Sequence, residues 1–136
     1  MTNLYDQDKA SFKLDDLDIF IRAEAYVNEI LDKDEHLILA NNYYVHNLGE
    51  IDIISKKGQY LYATLVLVKN KTNTDYTELE NSYNQNKLSV YRALKHFTSY
   101  RKLNAEKRKL QIALVTYDND YKFIDYNISS WDLLRN

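Results

Sequence analysis

The chain has 136 residues, the usual length of one domain and too short for two ordinary ones. Hydrophobic residues make up 45% and charged residues 28%, which is typical of globular proteins and excludes a disordered or fibrous chain. Cysteine is absent and the formal net charge is only −2, so disulfides and thiolate metal sites are excluded and the chain has no strong overall charge.

No segment of the sequence resembles a signal for export or for membrane insertion. Residues 1–13 are polar and lack the basic and apolar regions of a signal peptide. The longest apolar stretch, residues 60–68, is far shorter than the roughly 20 residues of a membrane-spanning helix. We therefore expect one cytoplasmic domain over residues 1–136, without membrane contact, in which residues 1–12 form a flexible or additional N-terminal segment.

The first predicted element is a helix over residues 13–31, in which Glu24 occupies an unusual position. Glu24 lies on the same stripe as the apolar residues Leu17, Phe20, Ile21, Val27, Ile30 and Leu31. Burying a carboxylate is costly unless it is paired, hydrogen-bonded or bound to a metal. Either the helix frays there or Glu24 faces a polar group, which includes a backbone amide or a tyrosine hydroxyl.

Three strands are predicted after this helix. Residues 36–45 are rich in branched and aromatic side chains, and the loop at residues 46–49 predicts a hairpin into a short strand at residues 50–55. Residues 59–69 are apolar on both faces, which is typical of a central strand that is covered on each side. We therefore expect this third strand in the middle of the sheet.

The second half of the chain predicts one helix and two strands. Helical spacing of apolar residues covers residues 78–100, a charged connection covers residues 101–109, and strands follow at residues 110–117 and 121–128. The predicted order is α-β-β-β-α-β-β. Alternation of this kind indicates an α/β domain with helices packed on a sheet.

Positive charge is concentrated in the second half of the chain. Residues 87–110 hold eight Lys or Arg residues against one acid, whereas residues 1–35 hold ten acids and four bases. This asymmetry predicts either a nucleic-acid surface or an ordinary solvated helix face. The candidate nucleic-acid-binding residues are Lys87, Arg92, Lys95, Arg101 and Lys102, and the neighbouring Tyr91 and Tyr100 either stack on unpaired bases or belong to the core.

Three short motifs carry a resemblance to a known family. Ala23-Glu24 stands in the first helix, Asn42-Tyr43 in the first strand, and Gly49-Glu50-Ile51-Asp52-Ile53-Ile54 in the second strand. In this order they resemble the YraN family of restriction-endonuclease-like, or Holliday-junction-resolvase-like, proteins over roughly residues 20–128. The resemblance implies a three-layer α/β domain with a mixed central sheet flanked by helices.

The resemblance also implies a metal site in which this sequence departs from the family. In such nucleases an Asp, a helix Glu and a Glu two residues before a Lys surround a divalent metal. Asp52 matches the family Asp, and Glu24 matches the helix Glu. In an ungapped alignment, however, the second Glu of the family falls on Leu65 and its Lys falls on Leu67. If the alignment is shifted by two residues, Lys69 matches the family Lys but Leu67 replaces the Glu. A lysine in the second helix of the family falls on Asn86.

We therefore expect a nuclease-fold protein without a competent metal site, in which Asp52 and Glu24 are vestigial and Asp52 alone binds metal weakly. It is expected to bind DNA, another nucleic acid or a protein partner, without a cofactor and in an undetermined oligomeric state. One alternative is a divergent Mg²⁺-dependent endonuclease with Lys69 and a relocated acid, supplied by Glu50, Asp75, Glu78 or Glu80. Another alternative is a module for protein interaction only.

Overall fold

The computed structural model of the chain describes residues 7–73, 77–103 and 107–131. Two helices and five strands follow one another in the predicted order, which confirms the α-β-β-β-α-β-β prediction. They are α1 (Gln7–Lys33), β1 (Leu37–Val45), β2 (Gly49–Lys57), β3 (Tyr60–Asn70), α2 (Thr77–Arg101), β4 (Lys107–Tyr117) and β5 (Phe123–Ser130).

Two elements begin three or more residues before the predicted position, and the other boundaries agree within two residues. Helix α1 begins at Gln7 rather than at residue 13, so residues 7–12 continue the helix, and residues 1–6 lie outside the described residues. Strand β4 begins at Lys107 rather than at residue 110, because Lys107 already pairs with Tyr60 in the parallel ladder. Its first residues carry exposed lysines, whose charge conceals a strand from a prediction based on apolar residues.

All five strands form one mixed sheet in the order β1-β2-β3-β4-β5. The pairs β1–β2, β2–β3 and β4–β5 are antiparallel, whereas β3 and β4 are parallel. A parallel pair requires a long crossover, and α2 supplies it. Strand β3 therefore lies at the centre of the sheet, as its apolar sequence predicted, with buried residues along most of its length.

The helices pack on opposite faces of this sheet and create two cores. On one face Ala23, Val27 and Leu31 of α1 pack against the sheet, and on the other Leu94 and Phe97 of α2 do so. The result is the three-layer α/β arrangement that the family resemblance implied. Within the described part of the chain, neither helix is long and apolar enough to cross a membrane.

Replacement of Phe97 by alanine should destabilise the protein by about 3–5 kcal/mol, because the ring is 1% exposed and its removal leaves a cavity in the α2 core. Urea denaturation followed by circular dichroism measures the loss. Leu88→Ala is the matched control on the same helix, since Leu88 is 52% exposed. Equal losses in the two variants would show that α2 does not pack through Phe97.

Candidate functional site

Asp52 lies where strands β2 and β3 part. The paired residues of these strands run from Lys57 and Tyr60 to Ile53 and Thr64, and no further pair follows. At the next position the Val66 N–H donates to Asp52 Oδ2 over 2.8 Å. The carboxylate thus takes the place of a backbone acceptor, which satisfies the Val66 amide while the strands separate.

Helix α1 brings Glu24 to the same place. Glu24 is only 8% exposed and its helix neighbours Ala23 and Val27 are fully buried, so the carboxylate enters from the apolar face of α1 as the sequence indicated. The amide nitrogen of Asn42, on β1, reaches a carboxylate oxygen of Glu24 in either orientation of the amide. The partner is therefore a side-chain amide, which resolves the cost of burying this carboxylate without fraying the helix.

Asn42 also links Glu24 to Glu50. With the amide oriented to serve both acids, its nitrogen lies 2.9 Å from Glu24 Oε2 and 3.2 Å from Glu50 Oε2. Glu50 also acts electrostatically on Asp52. Three carboxylates therefore converge beside one amide donor, and no lysine is among the groups that shift the pKa of Asp52 within the described chain.

The convergence of these acids changes their protonation. Burial, followed by repulsion from Glu24 and Glu50, raises the pKa of Asp52 to about 7 and outweighs the Val66 N–H, which lowers it. Burial likewise raises the pKa of Glu24, which hydrogen bonds from Asn42 and Asp52 partly offset. At neutral pH Asp52 is therefore about half protonated and shares its proton with Glu24, as expected for two coupled carboxyl groups.

A cavity of about 270 Å³ lies beside Asp52 and is partly apolar. Its wall is formed by β2, β3 and α2, through Leu48, Gly49, Glu50, Asp52, Leu65, Asn86, Ser89 and Val90. Gly49 has a φ of 139°, a conformation that side chains rarely adopt, and a Cβ there would lie 3.7 Å from Ser89 Cβ. That distance is an ordinary van der Waals contact, so the backbone conformation rather than a lack of space favours glycine here.

Leu65 and Asn86, the positions that the resemblance assigned to a family acid and a family lysine, both line this cavity. Lys69, the alternative match, lies three residues beyond Val66 on β3, and its Nζ donates to the backbone oxygen of Asn73 over 3.3 Å. That distance along a strand is about 10 Å. The structure therefore brings Asp52, Glu24 and Glu50 together but places Lys69 elsewhere.

The sequence suggested three other acids as a relocated ligand. Asp75 and the side chains of Glu78 and Glu80 lie outside the described residues. Among the residues that are described, no three acidic or histidine side chains are arranged to hold a metal ion. Mg²⁺ prefers about six oxygen ligands, and the described cavity lining, which has the carboxylates of Glu50 and Asp52 but the isobutyl group of Leu65, is a poor fit for this ion.

The candidate nucleic-acid-binding residues lie away from the carboxylates. At 100° per residue, Lys95 lies about 180° around α2 from Asn86, and Lys87 about 100°. Arg92, Lys95, Arg101 and Lys102 are exposed, whereas Lys87 is half-buried. Arg101 and Lys102 lie at the end of α2 and just beyond it, more than 10 residues after Val90 in the cavity wall. The bases therefore lie around or along the helix from the cavity, rather than in its wall as a channel beside the site would require.

Asn42 is the residue of the site whose contacts the sequence did not predict. It occurs in the Asn-aromatic motif that supported the family resemblance, and this was its only signal in the sequence. Its backbone φ is 54°, a left-handed conformation that asparagine tolerates better than most residues. The motif indicated the family, but only the packing of β1 against α1 shows that the amide joins two acids.

Comparison with known proteins agrees with the motifs. Residues 23–118 match the model of one family, described as Uncharacterised protein family UPF0102, which is the YraN family of the resemblance. No protein with a curated description matches the chain. The matched range begins just before Glu24 and includes Asn42, Asp52, Leu65 and Asn86.

Asp52→Asn should stabilise the protein at pH 8 and have little effect at pH 4. The pKa of Asp52 is raised on folding, so the proton on this side chain stabilises the folded protein. This stabilisation is fully present below the ordinary aspartate pKa and is lost as the pH rises to about 7. The loss is at most about 1.4 kcal/mol per pH unit in that window. The asparagine side chain does not titrate, and its carbonyl oxygen still accepts the hydrogen bond from the Val66 N–H.

Urea denaturation from pH 4 to pH 8 measures this effect. Asp32→Asn, at an exposed position of α1, is the control. If the two variants show the same dependence of unfolding free energy on pH, Asp52 does not hold a proton in the folded protein.

Proposed function

The chain belongs to the UPF0102 family, and from that membership we propose that it is a nuclease-fold protein without metal-dependent cleavage, retained for binding nucleic acid. The observation that carries the proposal is the presence of Leu65 beside Asp52 in the wall of the cavity. An ion bound by Asp52 would meet an apolar side chain instead of a second carboxylate.

The protonation of the acids makes any metal binding dependent on pH. Glu24, Glu50 and Asp52 repel one another, and the raised pKa of Asp52 means that a proton relieves part of this repulsion near neutral pH. A cation would have to displace this proton, so any metal affinity should fall as the pH drops below about 7. Lys69, which the resemblance offered as the cation that stabilises an attacking water, donates instead to the Asn73 backbone oxygen.

Nucleic-acid binding does not require this cavity, because the exposed basic residues of α2 do not line it. Arg92, Lys95 and Arg101 are at exposed positions of α2, where phosphate contacts are not limited by the carboxylates. Loss of metal ligands therefore removes chemistry without removing the positively charged surface.

A second candidate function is a divergent Mg²⁺-dependent endonuclease with Glu50 as the relocated acid. The observation that favours it is the approach of Glu50 to Glu24 through the Asn42 amide. This arrangement supplies a third carboxylate from β2 rather than from β3. Leu65 still stands where the family resemblance implies a metal-binding Glu, so this function is the second candidate.

Calorimetry with Mg²⁺ and Mn²⁺ separates the two candidates. The wild-type protein should release no heat of binding and should cleave neither branched nor single-stranded DNA. Leu65→Glu should gain Mn²⁺ affinity, because it adds a carboxylate next to Asp52. Leu65→Gln is the matched control, since it introduces a polar side chain of similar size without charge, and circular dichroism reports whether each variant folds.

Metal-dependent cleavage by the wild-type protein that Asp52→Ala abolishes would overturn the inactive assignment in favour of the relocated acid. Absence of both metal binding and nucleic-acid binding would instead leave a module for protein interaction.

A further inference from the structure

The second half of α2 and the residues that follow it carry positive charge and no acid in their own sequence. Residues 87–103 contain five Lys or Arg residues and no Asp or Glu. Arg92, Lys95 and Lys102 are exposed along this length. A polyanion is the partner that complements such a surface, because each phosphate contact releases counterions.

Planar side chains follow one edge of this basic surface. Arg92, His96 and Tyr100 are spaced four residues apart and so lie above one another on the helix. The rings of His96 and Tyr100 are nearly parallel, with an interplanar angle of 12° and centroids 6.4 Å apart. Tyr100 is 71% exposed. The helix therefore presents a stack of aromatic rings to solvent, and we call His96 and Tyr100 the ring platform.

The ring platform is attached to the hydrophobic core. The Tyr43 hydroxyl, on β1, lies 2.8 Å from His96 Nδ1. The Tyr43 ring packs edge-on against the buried ring of Phe97, with centroids 5.0 Å apart. Burial raises the pKa of the Tyr43 hydroxyl, which therefore keeps its proton at neutral pH. The His96 ring is fixed in this way and in turn faces the Tyr100 ring, so His96 loses little side-chain entropy when a ligand stacks on the platform.

We propose that this edge of α2 binds single-stranded nucleic acid, with an unpaired base stacked on the ring platform and phosphates held by Arg92 and Lys95. The inference rests on the proposed function, because it names the surface and the class of strand that the protein binds. Stacking on a side chain requires a free base face, which bases within a duplex do not offer. Arg92 lies one helical turn before His96, where its guanidinium is placed to bind the phosphate of a nucleotide whose base stacks on the platform.

Fluorescence anisotropy of the full chain with a labelled oligothymidylate, an oligouridylate and a duplex of the same length tests this proposal. The single strands should bind more tightly than the duplex. Tyr100→Ala should weaken single-strand binding about tenfold or more, whereas Tyr100→Phe should keep it because the ring remains. Arg92→Ala should lower the slope of log affinity against log salt by about 0.7.

Tyr44→Ala is the matched control for the ring platform. Tyr44 is 65% exposed, and it follows Tyr43 on β1, so its ring points to the opposite face of the sheet. This variant should bind like the wild-type protein. Because Tyr100 and Tyr44 are both largely exposed, neither change should alter the thermal unfolding temperature appreciably.

The failures of the two proposals are distinguishable. Absence of binding to every probe at low salt would overturn nucleic-acid binding itself and this inference with it. Binding that Tyr100→Ala and Tyr44→Ala leave equally tight would overturn the ring platform alone. Equal or tighter binding of the duplex would overturn the assignment to single strands, and a difference between the two single strands would identify the preferred sugar.

Discussion

The hydrogen bond from the Val66 N–H to the Asp52 carboxylate is the interaction on which the rest of the site depends. Because a side chain replaces the backbone acceptor, β2 and β3 separate without leaving a buried amide unsatisfied. The separation creates the cavity between the sheet and α2. It also commits Asp52 to a buried position next to Glu24, where its charge is costly unless a proton or a cation offsets it.

The acids of the site are held together by a proton and by an amide. The acids Glu24, Glu50 and Asp52 come from α1 and β2, but β3 contributes Leu65 to the cavity. Repulsion among the acids is therefore relieved by the raised pKa of Asp52 and by the Asn42 amide. A nuclease-type scaffold can keep its geometry in this state, because the fold depends on burial of the two cores and not on occupancy of the cavity.

Helix α2 serves two surfaces that are structurally independent. The cavity is lined by Asn86, Ser89 and Val90, whereas the ring platform lies in the last turns of the helix in solvent. The two are separated along the helix axis, since Tyr100 lies ten residues beyond Val90, about 15 Å at 1.5 Å per residue. The loss of cleavage and the binding that we propose are therefore compatible in one domain, because they involve different parts of this helix.

Periodicity in the sequence determined the order of the elements, the central position of β3 and the burial of Glu24, because each depends on the geometry of a single helix or strand. The family resemblance placed Glu24 and Asp52 at one site. Only the tertiary structure decided that Glu50 joins them through Asn42, that Lys69 does not, and that Tyr43 holds His96. These contacts join different elements or depend on how far a side chain lies along a strand. They are set by packing between distant parts of the chain, about which local hydrophobic spacing carries no information.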